Sequence, residues 1–163
     1  MLKLWKFQIS LFGILFAVIL LEVSIIPAAW APLRVDFFIG MIIGQIIFVP
    51  FSQGFPFVIL GSLILQAFSG ARLGLIPLLY IFTFMAIEVL KNLIYLENAY
   101  IQASLGVLFY CLIAAATAFL TDFAYLKGIT VPLVVGALLT GFVSPMMAYV
   151  VGRLQMAYEL EYE

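Results

Sequence analysis

Six apolar runs, separated by isolated charges and by proline or glycine, make up most of this chain. They lie at about residues 7–29, 36–51, 54–69, 74–94, 100–122 and 131–152. The first, fourth, fifth and sixth runs reach the roughly 20 residues that an α-helix needs to cross a bilayer, whereas the second and third are shorter. Long apolar runs of this kind are typical of membrane proteins.

Composition supports the same class, because 67% of the residues are hydrophobic, 9% are charged and the mean hydropathy is +1.29. A surface with so few charges must face lipid, where every backbone polar group has to be bonded within the protein. The runs are continuous and lack the apolar and polar alternation of a membrane barrel. The sequence therefore predicts an all-α, polytopic membrane helix bundle of about six transmembrane segments, forming a single integral membrane domain over residues 1–163.

The second and third runs leave two arrangements open. Each covers only about 24 Å as a helix, and Pro50, the link 52–54 and Pro56 lie between or within them. They fit either two full spans or a shallow, re-entrant hairpin. Both arrangements return the chain to the face from which it came, so the sidedness of the later runs is unaffected.

The amino terminus resembles a secretory signal, with Lys3 and Lys6 before an apolar run and a small-residue sequence at 29–31. The run is longer than the usual core of about 7–15 residues, and it contains Glu22. We therefore expect an uncleaved first span.

Orientation follows from the basic residues near the ends of the runs. One side carries Lys3, Lys6, Lys91 and Arg153, and the other carries Arg34, Arg72 and Lys127. The excess on the first side, together with the weight of the first helix, predicts that both termini lie in the cytoplasm.

Several function classes are disfavoured by composition. The net charge is −1 and the seven basic residues are scattered, so we expect no nucleic-acid partner. Histidine is absent, the single cysteine lies in an apolar run, and no hydrolase, metal or phosphate-loop motif occurs. We expect a protein that is not an enzyme, without catalytic residues, cofactor or metal.

Three acidic residues lie within or at the ends of apolar runs, where a charge is costly. Glu88 is followed three residues later by Lys91, which predicts an ion pair on one helix face. Asp122 ends its run and suits the membrane interface. Glu22 lies about one turn before Pro27. Interfacial depth is the favoured interpretation of Glu22, and a proton or substrate site is the alternative.

Small residues recur one turn apart and allow close helix contact. The pairs are Gly13 and Ala17, Gly40 and Gly44, Ala114 and Ala118, and Ala137 and Gly141. They indicate either a compact bundle or a face for a partner helix. Pro145 lies inside the last run and predicts a kink or a broken helix there.

The stretch from Gly54 to Leu75 resembles a known family. It holds an apolar run with an internal Gly61, a corner at Ser69 and Gly70, and then Leu73-Gly74-Leu75 opening the next run. This pattern is similar to the central motif of MreD, the rod shape-determining membrane protein family. The entry to the second run, 34–38 after a proline, resembles the family too, although Val35 replaces a frequent proline and Gln66 a frequent aspartate.

The resemblance implies a non-catalytic component of the complex that directs lateral peptidoglycan synthesis, located in the bacterial inner membrane. Its expected partners are a bitopic MreC-like protein, the actin-like MreB, cell-wall synthases and membrane lipid. It also implies a fold similar to the substrate-binding subunits of energy-coupling-factor vitamin transporters, and membership of such a transporter is the alternative function.

The corner between the third and fourth runs is expected to act as a structural joint rather than as a reactive site. The candidate structural or partner-interface residues are Glu22, Asp36, Gly40, Gly44, Gly61, Gln66, Ser69, Gly70, Arg72 and Gly74.

Overall fold

The protein is described by a computed structural model over residues 2–22, 35–69, 74–121 and 130–158. These ranges contain six α-helices and no strand, which confirms the all-α class. The helices are α1 (Leu2–Leu20), α2 (Phe37–Phe48), α3 (Phe51–Ser69), α4 (Leu75–Leu90), α5 (Ala99–Thr121) and α6 (Thr130–Ala157). Leu21 and Glu22 extend α1 by a wider helical turn.

Three of these helices are long enough and apolar enough to cross a membrane, over Phe51–Phe68, Ala99–Leu120 and Val131–Ala157. The apolar parts of α1, α2 and α4 are shorter. A membrane protein is therefore indicated.

The sequence-based lengths of the third and fourth segments were wrong. The third segment starts at Phe51 rather than at 54, because the Pro50 carbonyl accepts hydrogen bonds from the Gln53 and Gly54 N–H groups at 2.9 and 3.0 Å. The supposed link 52–54 thus belongs to α3, which has 19 residues. The fourth segment ends at Leu90 rather than at 94, because residues 91–94 form turns in which the Leu93 N–H donates to the Leu90 carbonyl at 2.8 Å, and α4 has only 16 residues.

Both ends of the chain also differ from the predicted bounds. The first segment starts at Leu2 rather than at 7, and its predicted end at 29 lies outside the described residues. The last segment continues to Ala157 rather than ending at 152. It passes through Pro145 without interruption, so the broken-helix interpretation was wrong.

The bundle is organised around α2 and α6, which run in the same direction and in register. A Cβ atom built on Gly40 would lie 2.8 Å from the Ser144 Cα, and one on Gly44 would lie 2.9 Å from the Ala148 Cα. One turn further, a Cβ on Gly152 would lie 2.8 Å from the Phe48 ring. Successive turns of the two helices therefore meet through their smallest residues, and we call this contact the α2–α6 seam.

The other helices surround α2, which is buried at every position from Phe38 to Ile46. On the inner face of α1, Phe7, Leu11, Leu15 and Ile19 are fully buried at the spacing of successive helical turns. Contacts of Gly61 with Leu15 and Phe38 join α3 to α1 and α2. α5 crosses α6 where Gly106 and Gly141 lie against the partner helix.

Candidate functional site

Four polar residues from four different parts of the chain meet at the end of the bundle where α2 begins. We call them the polar cluster: Glu22, Asp36, Tyr80 and Thr140. They come from the end of α1, the residue before α2, the second turn of α4 and the middle of α6. Asp36 is hydrogen-bonded to Tyr80 and to Thr140, which is 104 residues further along the chain, whereas Glu22 accepts a hydrogen bond from the neighbouring Phe37 N–H.

Asp36 is at the centre of the polar cluster and is 8% exposed. It is the N-cap residue of α2, and its Oδ1 accepts a hydrogen bond from the Ile39 N–H at 3.1 Å. Its Oδ2 accepts a hydrogen bond from the Tyr80 hydroxyl. The Asp36 N–H donates to the Thr140 Oγ1 at 2.9 Å. A carboxylate suits this position because it satisfies free N–H groups at a helix start.

Glu22 reaches the same helix start from α1. Its Oε1 accepts a hydrogen bond from the Phe37 N–H at 3.0 Å, directly beside Asp36. Its Oε2 is buried and has no hydrogen-bond partner in the described part of the chain. Two carboxyl groups are thus held close together, and one oxygen is left available for a proton, a cationic group or a water molecule.

Thr140 gives the polar cluster its attachment to α6. It is fully buried, and its carbonyl accepts a hydrogen bond from the Ser144 hydroxyl at 2.7 Å. Ser144 in turn lies against Gly40 on α2. The polar cluster and the α2–α6 seam are therefore parts of one continuous contact.

The corner between α3 and α4 lies at the same end of the bundle. The Gln66 Oε1 accepts a hydrogen bond from the Gly74 N–H at 3.0 Å. Gly74 precedes α4 with φ of +89°, a left-handed conformation that glycine adopts at little cost. Gln66 therefore joins the last turns of α3 to the start of α4, and an amide suffices for this contact.

The remaining predicted residues have different positions. Gly40, Gly44 and Gly61 are buried in contacts between helices of this chain. Ser69 is the last residue of α3. Gly70 and Arg72 lie outside the described residues, as does Asp122. The predicted ion pair of Glu88 with Lys91 is confirmed, with the Lys91 Nζ 2.6 Å from the Glu88 Oε1.

The small-residue pairs divide into two groups. Two pairs are buried, Gly40 with Gly44 and Ala137 with Gly141. In a third pair Ala118 is buried and Ala114 is half-buried. Gly13 and Ala17 are exposed instead, and a Cβ on Gly13 would have no protein atom within 4 Å. Exposed Ile9 and Phe16 lie on the same outer face of α1. We call these four residues the outer α1 face.

The sequence analysis singled out neither Tyr80 nor Thr140. A hydroxyl in an apolar run was the available signal, but its partner lies on another helix. Gln45, on α2, was not singled out either. It is fully buried, and neither polar atom of its side-chain amide has a hydrogen-bond partner within the described ranges.

The polar cluster can hold helices together, and it can bind a proton or a cationic group through its two carboxyl groups. Metal-binding groups of three or more histidine, cysteine, aspartate or glutamate side chains do not occur among the described residues. Comparisons with protein-family models, with curated proteins and with solved structures give no match to this chain.

Proposed function

We propose that the protein is a non-catalytic component of the bacterial cell-elongation complex that binds a bitopic MreC-like protein through its membrane helices. It helps to direct lateral peptidoglycan synthesis from the inner membrane, with MreB and cell-wall synthases as further members of the complex. The resemblance of residues 54–75 to the MreD family is the reason for proposing this role. The same proposal includes a fold similar to that of energy-coupling-factor substrate-binding subunits.

The outer α1 face is the observation that carries the partner-binding role. The hydrophobic effect does not drive helices together in lipid, because lipid tails are as apolar as leucine. Helices associate instead where small residues let two backbones approach closely. Gly13 and Ala17 offer such a surface, flanked by the exposed side chains of Ile9 and Phe16. The other three small-residue pairs contribute to packing within the chain. We assign the outer α1 face to the single transmembrane helix of the partner.

The corner between α3 and α4 supports the same role. The hydrogen bond from Gly74 to Gln66 holds two helices in a fixed relation. A component that acts by presenting a surface needs a rigid bundle more than a reactive group. The part of the chain that resembles the MreD family is therefore proposed to stabilise the bundle, while α1 makes the contact.

Co-purification after extraction in a mild detergent tests the proposal. The protein is co-expressed with a tagged MreC-like protein, and the amount recovered with the tag is measured for wild type, Gly13→Leu and Ala17→Leu. Both substitutions add a large side chain at an exposed position of the outer α1 face, so we expect recovery to fall at least severalfold. Ala115→Leu is the matched control, because Ala115 is an exposed alanine on α5.

Equal recovery of wild type and both α1 variants would reject the outer α1 face. Failure of the wild type to recover the MreC-like protein would reject the cell-elongation role. Recovery of a bound vitamin together with an ATPase module would instead identify a transporter subunit.

A further inference from the structure

An open groove of about 300 Å³ lies at the other end of the α2–α6 seam, where α2 ends. We call it the Arg153 groove, and it is lined by Phe48, Tyr149, Gly152, Arg153 and Met156. The groove is separate from the polar cluster, which lies at the start of α2, and from the outer α1 face.

The wall of the groove is apolar. Gly152 allows the Phe48 ring to lie directly against the α6 backbone, since a Cβ there would be only 2.8 Å from the ring. Tyr149 and Met156 are 59% and 67% exposed and border the opening. A surface of this kind fits a hydrocarbon chain that runs along the protein.

Arg153 supplies the charge of the groove. Its Nε donates a hydrogen bond to the Tyr149 hydroxyl at 2.6 Å, and its guanidinium carbon lies 5.1 Å from the centre of the same ring. These two contacts hold the guanidinium beside the opening and leave its terminal nitrogens able to donate further hydrogen bonds. No carboxylate in the described ranges forms an ion pair with it. A guanidinium in this state is complementary to a phosphate group.

Other basic residues lie at the same end of the bundle. The Ser10 hydroxyl is 2.6 Å from the Tyr158 hydroxyl, and the Phe7 and Tyr158 rings are 6.3 Å apart, which places the start of α1 beside the end of α6. Lys6 therefore lies near this end. Lys91 directly follows α4, which runs in the same direction as α2, and it is paired with Glu88 at 2.6 Å. Glu88 and Glu97 lie at this end too, so the charge available to an anionic headgroup beside the groove is that of Arg153.

We propose that the Arg153 groove binds one anionic phospholipid, with the lipid phosphate on the guanidinium of Arg153 and an acyl chain against Phe48 and Met156. An apolar lining next to a positioned guanidinium favours a lipid over a soluble anion. The lipid covers the end of the α2–α6 seam.

Native mass spectrometry of the full chain, released from nanodiscs of equal parts phosphatidylglycerol and phosphatidylcholine, tests this site. We expect the wild type to retain one phosphatidylglycerol molecule in preference to phosphatidylcholine. Arg153→Gln should lower the retained phosphatidylglycerol by about five- to tenfold, the effect of losing one charge-assisted contact. Arg153→Lys should keep part of the preference, and Lys91→Gln is the matched control for charge at the same end.

A second arm distinguishes the lipid from free phosphate. Millimolar inorganic phosphate added to detergent-solubilised protein should leave the thermal unfolding temperature unchanged, whereas phosphatidylglycerol should raise it for wild type and not for Arg153→Gln. Stabilisation by inorganic phosphate alone would overturn the lipid assignment. Equal losses of phosphatidylglycerol in Arg153→Gln and Lys91→Gln would overturn the assignment of the lipid to the Arg153 groove. The same assignment would be overturned if the wild type formed a lipid-free dimer that Arg153→Gln dissociates. None of these outcomes depends on recovery of an MreC-like partner.

Discussion

The backbone N–H of Asp36 donates a hydrogen bond of 2.9 Å to the side-chain hydroxyl of Thr140, 104 residues further along the chain. The contacts of Gly40 with Ser144, Gly44 with Ala148 and Phe48 with Gly152 continue the same register down the two helices. Asp36 and Thr140 therefore start a parallel contact that passes through the bundle, from the polar cluster to the Arg153 groove.

Gly40→Ala tests the α2–α6 seam. The added methyl would meet the Ser144 Cα at 2.8 Å and the Met147 Cβ at 2.9 Å, and neither backbone can yield without separating the helices. We expect a loss of about 1–3 kcal/mol in the free energy of unfolding, as in other overpacked cores. Denaturation in detergent, followed by circular dichroism, measures it.

Gly13→Ala is the matched control for the α2–α6 seam, because a Cβ on Gly13 meets nothing within 4 Å. Its expected effect is neutral or a gain of up to about 1 kcal/mol from helix propensity. Equal destabilisation by the two substitutions would contradict the close contact of α2 with α6.

Tyr80→Phe tests the polar cluster. Tyr80 is 6% exposed, and its hydroxyl donates to the Asp36 Oδ2, so removal of the hydroxyl leaves a buried carboxylate oxygen without this donor. We expect unfolding to become easier by about 1–3 kcal/mol. Tyr100→Phe, at a position 84% exposed, should change stability by less than about 0.5 kcal/mol. A Tyr80→Phe protein as stable as wild type would show that the bond is not needed for the fold.

Substitutions at Gly74 separate backbone strain from steric contact. No atom lies within 4 Å of a Cβ built there, so the cost comes from φ of +89° alone. We expect Gly74→Val to destabilise by more than about 1 kcal/mol, Gly74→Ala by about 1 kcal/mol, and Gly74→Asn least, since asparagine tolerates this conformation. Thermal unfolding of the three variants gives the order. Equal effects of valine and asparagine would contradict the left-handed conformation.

Gln45→Met tests a buried amide that lacks hydrogen-bond partners among the described residues. A buried polar group without a partner lowers stability, so an apolar side chain of similar length should raise the free energy of unfolding by about 1 kcal/mol. The same unfolding assay measures the change. Destabilisation by methionine would show that the amide is bonded in the folded protein, for example to a buried water molecule.

The candidate residues show which parts of the site can be predicted from neighbouring residues in the sequence. Asp36 and Gln66 were candidates because they lie in the stretches that resemble the MreD family, and both make hydrogen bonds at helix starts. Tyr80 and Thr140 were not recognised as their neighbours. Nearby residues indicate where a helix starts. Which groups of α1, α4 and α6 lie beside a carboxylate depends instead on how distant segments pack.

The sequence alone determined that the chain is helical and suited to a membrane, because hydropathy and length act on each segment separately. It also located the glycine corner and the ion pair of Glu88 with Lys91, which depend on neighbouring residues. Only the tertiary structure decided that Gly40 and Gly44 face α6 while Gly13 and Ala17 face outward. In lipid both faces of a helix are apolar, so hydropathy cannot separate them, and the close approach of two backbones selects the face that is buried.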